Sequence, residues 1–189
     1  MTPRSFRRRR HLPFAAALLA VSSLAMSSCV LSKIHSAAPA YRVVTGRCVF
    51  LGTTSSTNFV RCNYSRANFS GDNAPGIDFD ATNWTGALMN DVQMQSSSFV
   101  GATFAHVTAD NANFNAANFD HVDFAGANLS GSVFANATMH GDNFVGANLH
   151  GAKSMSAAAL TGSLWRDTLC PDGTNSNHDG GTCLHDLSS

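Results

Sequence analysis

Residues 112–131 read ANFNAANFDHVDFAGANLSG, and a large apolar residue returns at every fifth position: Phe114, Phe119, Phe124 and Leu129. Ala112, Ala117 and Ala127 stand two positions before three of them, and Asn113, Asn118 and Asn128 one position before. Worked outward, the register extends from Phe59 to Leu149, and all nineteen of its positions are apolar or aromatic. Every Phe after Phe50 falls on it.

The spacing rules out the common elements. Five residues of α-helix advance about 500°, so the rings would wrap round every side and leave no buried stripe. On a straight strand an odd step sends alternate rings to opposite faces. What remains is a chain that turns a corner every few residues and points each large side chain at one shared axis.

Ala67-Asn68-Phe69-Ser70-Gly71, Ala127-Asn128-Leu129-Ser130-Gly131 and Ala147-Asn148-Leu149-His150-Gly151 resemble the tandem motif of the pentapeptide-repeat family. The resemblance covers about half of the chain. It implies an all-β fold, a right-handed quadrilateral β-helix with four pentapeptides to a coil. The central residue and the small residue two before it then face inward. Residues twenty apart should stack, with Phe59, Phe79, Phe99, Phe119 and Met139 on one side and Tyr64, Trp84, Phe104, Phe124 and Phe144 on the next. At a spacing of about 4.8 Å per coil the rod would be roughly 25 Å long.

The pattern weakens in three places. Asp72 and Asp142 occupy inward small positions, where an unpaired carboxylate is costly. Ala74-Pro75-Gly76 suggests a loosened corner, and Leu88, Gln93 and Ser98 replace the usual Asn. A stacked coil also leaves unpaired backbone at its ends, which invites dimerisation unless covered. Tyr41 to Gly52 is the candidate first cap. Met155 to Trp165 loses the period and reads as a short helix whose Leu160, Leu164 and Trp165 would cover the last coil. The domain plan is residues 1–28 as signal peptide, 29–45 as tether, 46–154 as β-helix and 155–189 as cap and Cys-closed tail.

Arg7 to Arg10 precede an apolar run, Phe14 to Met26, of a length suited to export and short for a membrane span. Leu24 to Cys29 resembles a bacterial lipobox, which makes Cys29 the expected lipidation site. A signal cut after Ala38-Pro39-Ala40 is the alternative, and the arginine run faintly resembles a twin-arginine signal. The expected location is the cell envelope, lipid-anchored on the outer side of the membrane, or secreted. Lipidation of Cys29 leaves Cys48, Cys62, Cys170 and Cys183 as disulfide candidates with three possible connectivities. The sequence-local choice is Cys48 with Cys62 and Cys170 with Cys183.

The formal net charge is zero, but five of twelve basic residues lie in the first ten positions. From Cys29 onward seven Lys or Arg face twelve Asp, which leaves −5, and there is no Glu. Between Ala67 and His150 there are eight Asp and no Lys or Arg, so direct binding of nucleic-acid phosphates is disfavoured.

Candidate chemistry is sparse. His140 should stack near Asp120, with His121 and Asp123 close by, a pairing able to bind metal or move protons but also expected of a solvated face. His106 and His150 stand alone. Asp172, Asn175, Asn177 and Asp179 before Gly180 partly echo a calcium loop, with no Glu to close it. The expectation is therefore no catalytic residue, no cofactor and no metal. The sequence reads as a structural or protein-interaction module with an unidentified protein partner, able to pair through a β-helix end. One alternative is a DNA mimic, because the resemblance includes family members that protect DNA gyrase in this way. Another is an exported hydrolase or metal-dependent enzyme.

Overall fold

The structure is a computed structural model, and it describes residues 30–34, 40–44, 59–178 and 180–187. Strands β1 (Val30–Ile34) and β2 (Ala40–Val44) pair antiparallel. From Phe59 onward the chain is a repeat β-helix, joined coil to coil by parallel bridges between residues twenty apart. Asn63 pairs with Asn83, Asn83 with Thr103, Thr103 with Asp123 and Asp123 with Asn143. Three further columns of bridges, among them Leu88 with Thr108, Gln93 with Asn113 and Ser98 with Asn118, complete the coil. The stretch without its usual Asn residues therefore holds register.

Each corner is a β-turn. The amide of Cys62 donates to the Phe59 carbonyl at 3.1 Å, and that of Ala87 to Trp84 at 2.8 Å. The third turn residue has positive φ at every step from 61 to 151, between +55° and +71°. This geometry suits Gly, yet ten of those nineteen positions are other residues, including His106, Asn111, Ala116 and His121. Pro75 and Gly76 fill the second and third places of such a turn. The corner expected to be loose is thus built from the residues a type II turn prefers, and Ala74 and Gly76 donate to the next coil at 2.8 Å each.

The frequent Asn has a local cause. Its side-chain oxygen accepts the amide two residues on: Asn63 from Ser65, Asn118 from Asp120 and Asn148 from His150, each at 3.0 Å. The corner amide is thereby satisfied without lengthening the side.

The axis is filled. Trp84, Met89, Met94, Phe99, Phe104, Phe114, Phe119, Phe124 and Phe144 have no exposed surface, and burying each such side chain contributes about 1.5–3 kcal/mol. The rings stack as columns, Phe79 on Phe99 at 5.4 Å and Phe99 on Phe119 at 4.9 Å. Beside them Tyr64 lies on Trp84 at 4.4 Å, and Phe124 on Phe144 at 5.0 Å.

The period does not end at Leu149. Ser154, exposed and at φ +60°, is one extra residue, after which the five-residue register resumes at Met155, Leu160, Trp165 and Cys170, all buried. Bridges accordingly join Asn143 to Leu164 and Asn148 to Leu169, twenty-one residues apart. The expected helix is a single 3-10 turn, Ala157–Leu160. Leu164 does not cover the core. It occupies an outward position and is 60% exposed, while Trp165 extends the ring column.

Candidate interaction surface

Because the interior holds packed rings, any site must be built on the outer faces and the ends. The faces are tied coil to coil. Asp80 accepts from Ser98 Oγ at 2.5 Å and from the Val100 amide at 2.9 Å. Asp110 accepts from Asn128 at 2.8 Å and Ser130 at 2.6 Å, and Asp123 accepts from Asn143 at 2.9 Å. Much of the acidic surface read from the sequence is therefore engaged in holding neighbouring coils together.

His140 and Asp120 meet as expected, with Nδ1 to Oδ1 at 2.9 Å, and the His140 amide also donates to Asp120 at 3.2 Å. Burial pulls the Asp120 carboxyl upward, but the hydrogen bonds from His140 and the nearby charges of His140 and His121 outweigh it and hold the carboxyl below its ordinary value. Asp123 is held by Asn143, which separates its hydrogen bonding from that of the pair. No group of three His, Cys, Asp or Glu among the described residues is arranged to hold a metal ion.

Three other histidines, His106, His121 and His150, lie beside glycines that follow them in the stack. A Cβ on Gly126 would stand 2.6 Å from His106 Nδ1, one on Gly141 would stand 3.3 Å from His121, and one on Gly173 3.1 Å from His150. These rings take up the space the missing side chains leave.

The tail is closed by a disulfide between Cys170 and Cys183, Cα atoms 5.3 Å apart. Cys62 is also disulfide-bonded. Cys48, Cys29 and Asp179 lie outside the described residues. Asp172 accepts from the amide and hydroxyl of Thr174, Asn175 from the amide of Asn177, and Asn177 donates to Asp167. The side-chain oxygens of Asp172, Asn175 and Asn177, three of the four residues that suggested a calcium loop, thus accept hydrogen bonds from nearby backbone amides. Leu169 and Asn175 form an antiparallel bridge, folding the tail back on the last coil. Val145, Ser163, Leu164, Trp165, Arg166 and Gly181 line a shallow cleft where the tail meets the coil. Sequence reasoning missed this cleft, because the slip at Ser154 hid the true placement of Leu164.

A chain that closes a coil every twenty residues around a filled apolar axis is a β-solenoid protein. This one carries pentapeptide repeats: residues 97–136 and 112–151 match the family model Pentapeptide repeats (8 copies). Among solved structures the chain is similar to the pentapeptide repeat protein Rfr23 of the cyanobacterium Cyanothece 51142. That match has 16% identity over 58% of this chain and 87% of the other, with a TM-score of 0.44. A pentapeptide repeat protein of the Arabidopsis thaliana thylakoid lumen matches at 21% identity over 63% and 81%, with a TM-score of 0.40. QnrB1, a plasmid-mediated fluoroquinolone resistance protein, matches at 14% over 70% and 88%, with a TM-score of 0.35. No curated protein matches the chain.

Proposed function

We propose that this protein is a non-catalytic structural or protein-interaction module of the cell envelope, tethered through a lipid on Cys29 and presenting rigid flat faces to a protein partner. The observation that carries the reading is the filled axis, with Phe99, Phe104, Phe119 and Phe124 at zero exposure. Such an interior leaves no concave apolar chamber in which polar groups could converge on a substrate. The reading takes the coil as right-handed and four-sided, with the disulfide-closed tail as its C-terminal cap. Support for the cap comes from the return of Asn175 onto Leu169.

Metabolic labelling with palmitate tests the tether. Label should enter the wild-type chain and be lost in Cys29→Ala, with the wild type in the membrane fraction. An unlabelled cytoplasmic product would overturn the envelope assignment and favour the DNA-mimic alternative. Crosslinking in intact cells followed by capture on the tagged full chain tests the interaction role. One partner recovered in fixed proportion, and lost on charge reversal of one face, is the expected result.

A further inference from the structure

Five inward hydroxyls, four of them buried and Ser163 half-buried, share a pattern at the small inward position of this coil, while Thr82 turns its hydroxyl to Phe79 in its own corner. Ser132 Oγ accepts the Ala112 amide, twenty residues back, at 3.1 Å and donates to the Ala109 carbonyl, twenty-three back, at 2.6 Å. Ser97 does the same with Ile77 at 3.1 Å and Ala74 at 3.2 Å. Beyond the slip the offsets grow by one: Ser163 accepts from Asp142 and donates to Met139, and Thr168 donates to Phe144. Ser176 follows in the tail, accepting from Thr168 and donating to Trp165. Each of these five side chains thus needs a proton to offer a carbonyl.

Asp142 sits at such a position with no exposed surface. Its Oδ1 accepts the Val122 amide, twenty residues back, at 2.7 Å, which is half of the serine pattern. Its Oδ2 is buried and finds no partner among the described residues. The carbonyl twenty-three residues back is that of Phe119, the acceptor that the serine pattern assigns to a donated proton. An ionised carboxylate has none to give.

We propose that Asp142 works as an uncharged carboxylic acid that takes the place of a core serine, and that this makes the joint between the last full coil and the C-terminal segment sensitive to pH. The joint runs through this residue, because the Asp142 amide donates to Ser163 at 3.2 Å and its carbonyl accepts from Leu164 at 2.9 Å. The charged and titratable groups around it favour the neutral form. The preceding coil contributes Asp120, whose charge repels a second carboxylate, while the backbone of His121 works the other way, its hydrogen bond to Asp142 favouring the charged form. On the same coil His140 turns its ring to Asp120. The covering residues 161–164 carry no titratable side chain. Burial, offset in part by the Val122 hydrogen bond and reinforced by Asp120, pushes the carboxyl up to about 8.

The sign follows from proton uptake. An unfolded Asp titrates near about 3.9, so between there and about 8 the folded chain holds a proton the unfolded chain has released. Stability from this group is full below the lower value, falls as pH rises across the window, and levels off above it.

Two measurements on the full disulfide-bonded chain separate the outcomes. Carbon-13 NMR of the Asp142 carboxyl should titrate with a midpoint near 8, and a midpoint below 5 would overturn the proposal. Thermal melts of wild type and Asp142→Asn, whose amide can still donate, should diverge progressively from about pH 4 to pH 8, with the wild type losing ground, and run parallel above. A gap that does not change with pH would refute the proposal. If Asp142→Asn fails to fold, the NMR midpoint of the wild-type chain alone upholds or overturns it.

Discussion

Trp165 stacks on Phe144 with ring centroids 4.8 Å apart and planes 14° apart, across twenty-one residues where every earlier ring pair of that column is separated by twenty. The extra residue is absorbed at Ser154, outside the core, so the apolar column passes the slip without a gap.

That arrangement separates the residue that fills from the residue that slips. Trp165→Ala should cost about 3–5 kcal/mol, as a large core truncation. Deletion of Ser154 should leave a folded chain with Trp165 still buried, because it restores the spacing of the other coils. Denaturant melts followed by tryptophan fluorescence report both.

Phe119 and Asp120 are neighbours facing opposite ways. Phe119→Ala should destabilise by about 3–5 kcal/mol. Asp120→Ala loses two hydrogen bonds to His140 on a half-exposed face and should cost about 1 kcal/mol. Simple outward placement suggests a smaller effect, and the coil-to-coil bond is the reason to expect more. Urea denaturation of the two variants beside wild type gives the comparison.

Corner residues should respond to glycine according to their space. Ala116 has φ +56°, where a Cβ is strained, so Ala116→Gly should stabilise by up to about 1 kcal/mol. Gly126→Ala should destabilise, since the new Cβ would meet His106 Nδ1 at 2.6 Å. Shifts of Tm in opposite directions are expected from calorimetry.

The tail depends on its covalent closure. Removing the Cys170–Cys183 bond by Cys183→Ser should lower stability by about 3 kcal/mol in the chain-entropy account, for a sequence separation of 13. Hydrogen exchange should quicken first at the amides of Leu169 and Ser176, which hold the tail to the coil.

The register, the ring columns and the inward faces were legible in the sequence because each core position announces itself by type: Phe, Leu or Met at the centre, Ala two before. The His140–Asp120 contact followed from the same arithmetic. Other features carried no such signal. The left-handed corner at Ala116 is imposed by closure of the coil and leaves no mark in residue choice. The run MSAAALTGSLW reads as helical by composition, and only stacking against residues 139–144 shows that Met155, Leu160 and Trp165 keep the five-residue step. Asp142 was visible as an anomaly, but its likeness to Ser132 depends on backbone partners that only the folded coil brings within reach.

The account rests on side chains from successive coils meeting on one dry axis. Nuclear Overhauser contacts between the rings of Phe79, Phe99 and Phe119 in the folded chain test this most directly, since their centroids lie 5.4 and 4.9 Å apart. Strong ring-to-ring contacts at the twenty-residue step, without the short-range amide pattern of a helix, are the expected result. Helical amide contacts through residues 59–149, or rings that see only water, would contradict it.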